Sequence, residues 1–171
     1  MKVTHSRLTH LLEYDDVSGK FTRKITASAN ALVGSVPGYI NPEGYRQIGI
    51  DHKYYKAHRL AWFYVHKEWP IDQLDHINHK KDDNRIDNLR EVSNQENHKN
   101  LGRRSDNISG CAGVGWYGRK NKWVARIQVG DKRICLGYFV DLAEAILARE
   151  AATIKYGFHK NHGKLAHEVT I

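Results

Sequence analysis

The chain has 171 residues, 40% of them hydrophobic, with four Trp and nine Tyr. That is enough for one domain or two small ones with real cores, and it excludes a disordered chain. Lys and Arg number 27 against 19 Asp and Glu, a net charge of +8, which suits a polyanionic partner.

The charge is shared evenly. Residues 1–105 carry 17 basic and 13 acidic side chains and residues 106–171 carry 10 and 6, so each part has a net charge of +4. The two cysteines, Cys111 and Cys135, form no Cys-x-x-Cys pair, so neither a structural zinc site nor a structural disulfide is expected. The absence of a secretory apolar segment or a long apolar run points to a soluble protein of a reducing cytoplasm. No membrane and no protein partner is implied.

In chain order, residues 5–14 predict a short helical or turn-like start. Tyr14-Asp15-Asp16-Val17-Ser18-Gly19-Lys20-Phe21-Thr22-Arg23 reads as strand, turn, strand. Residues 26–38 are small, polar and contain Gly and Pro, the composition of a surface loop. Residues 44–50 and 53–56 flank Asp51-His52 as a predicted hairpin. Its Arg46, Lys53, Lys56 and tyrosines fit contact with a DNA backbone, and an ordinary two-faced sheet explains them nearly as well. Ala57 to His66 predicts a helix too apolar to be solvated all round, stopped before Trp69-Pro70 and expected to pack behind the segment that follows.

That segment, residues 73–101, organises the rest. It reads as a short strand, an irregular polar loop, a second short strand and a helix, because Ser93 with Glu96 three residues on forms a capping box. Strand pairing with the helix across it brings Asp75 and His76 to face Asn97. A carboxylate and an amide oxygen are hard donors suited to Mg2+ or Mn2+, ions that keep several waters and bind phosphate oxygens. Asp75 and Asn97 are therefore the expected metal ligands. His76 is the expected base, since an imidazole with an unperturbed pKa of ~6.5 is largely neutral at cellular pH. The chemistry this set suits is metal-assisted phosphodiester hydrolysis. His79 and His98 lie close by in sequence, as alternative zinc ligands or as surface and phosphate-contacting side chains.

These residues resemble the HNH endonucleases. Asp75-His76 stand at the dyad, Asn88 in Asp87-Asn88-Leu89 at the central Asn, and Asn97 at the helical ligand, with Asn rather than His there as in the phage intron-encoded branch. The resemblance implies that Asn88 does not touch substrate but hydrogen-bonds the loop and holds His76 in place. Asn84-Arg85, His58-Arg59-Leu60 and the Tyr14 to Phe21 lead-in are similar to recurrent elements of that branch. The family implies a ββα-metal core.

Beyond a linker-like stretch around Gly102-Arg103-Arg104, the chain changes character. Residues 113–117, 122–129 and 133–139 read as three strands, and a helix capped by Asp141 and Glu144 runs to Tyr156 before Gly157. Alternation puts Trp123, Ala125, Ile127 and Val129 towards the helix and leaves Lys122, Arg126 and Gln128 on the other face. Arg133 continues that face, with Tyr117 and Arg119 extending it as further DNA-binding candidates. Residues 109–158 resemble the ethylene-response-factor type of DNA-binding domain, with Leu136-Gly137-Tyr138-Phe139 as the most specific mark. Gly115 and Cys135 stand where that family has an Arg and a Trp contact, so its base specificity does not carry over.

The expected fold is thus α+β. Residues 1–52 form a β-rich extension, 53–102 the nuclease core, 103–108 a linker and 109–171 a three-stranded sheet packed on one helix. The expected activity is hydrolysis of double-stranded DNA by a homing-type phage endonuclease in the cytoplasm of a bacterial host. The alternatives are a DNA-binding regulator with an inactive nuclease core and a non-specific or structured-RNA nuclease.

Overall fold

The computed structural model describes residues 2–93, 97, 99–100, 102–103 and 106–169. The fold is mixed α and β, with small antiparallel sheets and three helices among the described residues. No helix among them is long and apolar enough to cross a membrane. The chain divides into two compact units after Ser93, a boundary inside the 53–102 segment.

The first unit opens with α1 (His5–Leu11), whose N-cap Thr4 side chain accepts a hydrogen bond from Arg7 N. Strands β1 (Leu12–Asp15) and β2 (Lys20–Arg23) pair antiparallel, with Tyr14 opposite Phe21. Strands β3 (Tyr39–Ile40), β4 (Arg46–Ile50) and β5 (Lys53–Lys56) form a second sheet in that order. Asp51 and His52 join β4 to β5 with φ of 47° and 60°. Two successive positive φ values define the two-residue hairpin turn whose twist matches that of its strands. Arg7 adds a bidentate ion pair to Asp51, at 2.8 and 3.1 Å.

Helix α2 (Ala57–His66) follows β5 directly and ends where Lys67 turns left-handed. Its Leu60, Ala61 and Phe63 pack with Leu8, Leu12, Phe21, Ile48 and Leu89 in one buried cluster. Residues from 1–52 and from the following segment therefore share a single core. Strands β6 (Gln73–His76) and β7 (Leu89–Val92) pair antiparallel around the loop 77–88, which ends in a 3-10 turn at 86–88.

The second unit holds β8 (Val114–Tyr117), β9 (Lys122–Val129) and β10 (Lys132–Phe139) in the order β10-β9-β8, all antiparallel, with a bulge between Cys135 and Gly137. Helix α3 (Leu142–Lys155) begins at Asp141, whose carboxylate accepts from the amides of Ala143 and Glu144. Val114, Ala125 and Ala145 form the core here, with Trp123, Leu136 and Phe139 packed against it. Arg149 of α3 is buried, with its guanidinium over the Phe158 ring at 5.3 Å. The capping box at Ser93 to Glu96 and the end of its helix at Leu101 lie outside the described residues. Asn97 is described, with helical backbone and partial burial.

Candidate active site

Strand alternation decides what the β6–β7 ribbon presents to each side. His76, opposite Leu89, faces inward and is 4% exposed. Asp75, one residue earlier, lies on the other face directly opposite Arg90. Arg90 donates from Nε at 3.1 Å and from Nη2 at 2.8 Å, both to Asp75 Oδ2. An arginine held on one oxygen of a carboxylate fixes the side chain's rotamer and its plane.

The loop 77–88 is irregular, so its backbone needs partners that no strand supplies. Three buried asparagines provide them. Asn88, 0% exposed, accepts from Asn78 N at 3.0 Å and donates through Nδ2 to Asp83 O at 2.8 Å. Asn78 donates to Asp83 Oδ2 at 2.7 Å and accepts from Lys80 N at 2.9 Å. Asn84 Nδ2 donates to Asp82 O at 3.1 Å. Asp83 in turn accepts a fork from Arg85 at 2.8 and 2.7 Å, and Ile77 N reaches Asn88 O at 2.9 Å. An amide side chain both donates and accepts, which is why asparagine suits a site where one side chain must tie two stretches of backbone.

The β1–β2 hairpin buttresses this loop from outside. Tyr14 donates its hydroxyl to Asn84 O at 2.7 Å in the buried interior. Gly19, at φ +69°, sits so close that a Cβ there would stand 2.4 Å from Arg85 N. Any other residue at 19 would push the loop away. These two contacts give the Tyr14 to Phe21 lead-in a role that local patterning alone does not supply.

His76 lies among rings. His58 of α2 meets it edge to face at 5.0 Å and 87°, and Tyr45 stands 5.9 Å away. Burial is the main cause that depresses the His76 pKa below the ordinary 6.5, with the Lys81 charge adding to it; the Asn84 side chain and the carboxylates of Asp75 and Asp83 act in the opposite direction. The net direction leaves the ring neutral at neutral pH, the form in which an imidazole accepts a proton.

His58 is depressed further, to about 3, first by burial and then by the charges of His76, Lys56 and Arg59. A depressed folded value means that protonation occurs in the unfolded chain first, so stability present above 6.5 is lost as pH falls towards the folded value. We expect unfolding free energy to drop by ~1.4 kcal/mol per pH unit below 6.5 from this group. Urea titrations of the parent and His58→Phe at several pH values check it: the variant should lose that part of the slope, and parallel curves would refute it.

Among the described residues no three His, Cys, Asp or Glu side chains stand close enough together to hold a metal ion. The donor chemistry that is present, a carboxylate at the loop end of a ribbon with its Oδ2 occupied by Arg90, fits a hard divalent ion that retains most of its waters. Asp75 suits that role. Asn97 belongs to the second unit.

In that unit the cross-strand partners Tyr117 and Lys122, Arg126 and Cys135, and Gln128 and Arg133 lie on the sheet face away from α3. Arg119 is exposed in the turn after β8. Two features of this face are not read from the sequence. Tyr138 joins it, its ring 5.5 Å from Tyr117 and under the Lys120 ammonium at 4.0 Å. Val124 shares the face yet is buried, with Tyr138 as its cross-strand partner. The bulge at Cys135 is what brings Tyr138 onto that side, and a bulge leaves no clear signal in alternation.

No curated protein and no solved structure matches the chain. Residues 55–99, from β5 through the ribbon to Asn97, match the family described as HNH endonuclease. The match takes in Asp75, His76, Asn88 and Asn97, and the rest of the chain lies outside it. Members are nucleases, hydrolases that act on nucleic acid and generally depend on a divalent metal. Residues 55–99 are thus similar to an HNH endonuclease domain.

Proposed function

We propose that this protein is a metal-dependent endonuclease of double-stranded DNA, a homing-type phage enzyme whose second unit supplies part of the target recognition. The reading rests on one observation above the others: the Asp75-His76 pair ends a ribbon whose loop is tied by buried asparagines, inside the segment that matches the nuclease family. His76 takes the proton from a water as its oxygen attacks phosphorus and the bond to the leaving sugar oxygen breaks. Asp75 and Asn97 are the residues that would hold Mg2+ or Mn2+, and the chemistry such an ion would supply is neutralisation of charge developing on the phosphate and leaving oxygen. Asn88 ties the loop that carries His76 and does not touch substrate. Arg90 fixes the Asp75 carboxylate.

The sheet of the second unit reads DNA with Tyr117, Arg119, Lys122, Arg126, Gln128 and Arg133. An antiparallel ribbon of this width enters the major groove, where Arg grips guanine and Lys the phosphates. Supercoiled plasmid incubated with Mg2+ or Mn2+ should be nicked or linearised, and EDTA should prevent it. Plasmid left intact with both ions while duplex DNA is still bound would make the protein a regulator instead, and preferential cutting of structured RNA would make it a ribonuclease. Replacing Arg126 and Arg133 with Ala takes two cations away from the duplex, which should weaken binding and flatten its salt dependence. Single-turnover cleavage of saturated DNA should not change.

A further inference from the structure

Three carboxylates of the ribbon and its loop are matched to an arginine. Asp75 pairs with Arg90, Asp82 with Arg46 and Asp83 with Arg85, at 2.8, 2.9 and 2.7 Å. Lys81, in the midst of them, has no carboxylate partner among the described residues. Its ammonium instead donates to a neutral acceptor, Glu43 O, at 2.8 Å, and stands 5.1 Å from the centre of the Tyr45 ring. Gly44 lies against its methylene stem, where even a Cβ would come within 3.5 Å of Lys81 Cδ.

This arrangement immobilises a lysine without neutralising it. A backbone carbonyl and an aromatic face restrict its ammonium while leaving the full positive charge. Lys56 approaches the same ring at 4.2 Å, with only a 3.5 Å contact to the Glu43 carboxylate. Tyr45 thus carries two ammonium groups, and its ring is also 5.9 Å from that of His76. Lys81 is near enough that its charge contributes to the depressed pKa of the imidazole. A fixed, uncompensated cation next to a general base is a place for an anion, and it costs little further ordering to fill.

We infer that Lys81, held on the Tyr45 ring with Lys56 behind it, grips a backbone phosphate of the strand being cut and sets that strand against His76. The inference rests on the nuclease reading for the identity of the reacting strand. The phosphate contact itself depends only on the charge and its placement. Lys81 is exposed, so removing its ammonium leaves the fold intact, and Lys81→Met, which keeps an unbranched stem and lacks the charge, isolates that charge.

The test has two arms, both on the full chain. Binding to a duplex oligonucleotide in EDTA, followed by fluorescence anisotropy across a salt series, reads the number of phosphates neutralised. Lys81→Met should lower the slope of log K against log salt by about 0.9, and Lys81→Arg should restore it. Single-turnover cleavage of saturated plasmid should fall on the order of 10- to 100-fold in Lys81→Met, the cost of a misplaced reacting group.

A lost rate with an unchanged slope would make Lys81 a structural residue and overturn the proposal. A lost slope with an unchanged rate would move the contact away from the reacting strand and overturn it equally. A parent protein that binds duplex but never cleaves it would defeat the nuclease reading, while the slope arm would still decide whether Lys81 holds a phosphate.

Discussion

His76→Ala is expected to lower single-turnover cleavage by ~10² to 10⁴, the usual contribution of a positioned general base, while binding to duplex DNA in EDTA stays close to that of the parent. The reason lies in how the ring is held. It is buried beside His58 and Tyr45, and burial keeps it in the neutral form. An inward-facing imidazole is a poor place to seek DNA affinity, because phosphates are gripped by exposed cations. Removing it should therefore cost proton transfer and little else. Truncation to Ala also leaves a cavity, so His76→Gln, which keeps most of the volume, serves as the companion variant. Both should be inactive and both should bind. Cleavage by either variant at the parent rate would falsify the assignment of His76 as the base. A fall in binding as large as the fall in rate would recast it as a substrate contact.

How much of this site is legible in the sequence depends on the range of the interaction. Asp75-His76, the cap at Asp141 and the period-2 alternation of Lys122, Arg126 and Gln128 are local, and each predicts its own element. The Asp51-His52 hairpin is local too, since a two-residue turn between apolar alternations fixes its own register. What local pattern cannot supply is contact between distant segments. Tyr14 reaches Asn84 across 70 residues, and Gly19 meets Arg85; nothing in residues 14–23 alone names that partner.

Arg90 illustrates an intermediate case. It is opposite Asp75 only because the loop length sets the β6–β7 register, and a shift of one residue would send every side chain to the other face. Lys81 resembles its neighbour Lys80 in sequence and differs from it only through Glu43 and Tyr45, which arrive from the second sheet. The sharing of one core by residues 1–52 and the nuclease segment has the same origin, since Leu8, Phe21 and Ile48 meet Leu60 and Leu89 only in three dimensions.

The second large effect is expected at Asn88, and it is a loss of stability before it is a loss of chemistry. Its side chain is fully buried, accepts from Asn78 N and donates to Asp83 O. In Asn88→Leu both backbone groups lose their partner in the interior. Each unsatisfied group costs about 1 to 3 kcal/mol, so the pair amounts to roughly 2 to 6 kcal/mol. That is a large share of the ~5 to 15 kcal/mol that holds a small domain together. Urea unfolding should show the drop directly, as a lower midpoint. Cleavage should fall with it, because the loop that carries Asp83 and Asn84 past His76 is no longer tied to the start of β7. Asn88→Asp separates the two bonds: it keeps an oxygen for Asn78 N but removes the donor to Asp83 O, so it should be destabilised as well. A different outcome would change the role of this residue. If Asn88→Leu unfolds at the parent midpoint yet fails to cleave, Asn88 acts on the substrate, and the buried asparagines do not hold the loop.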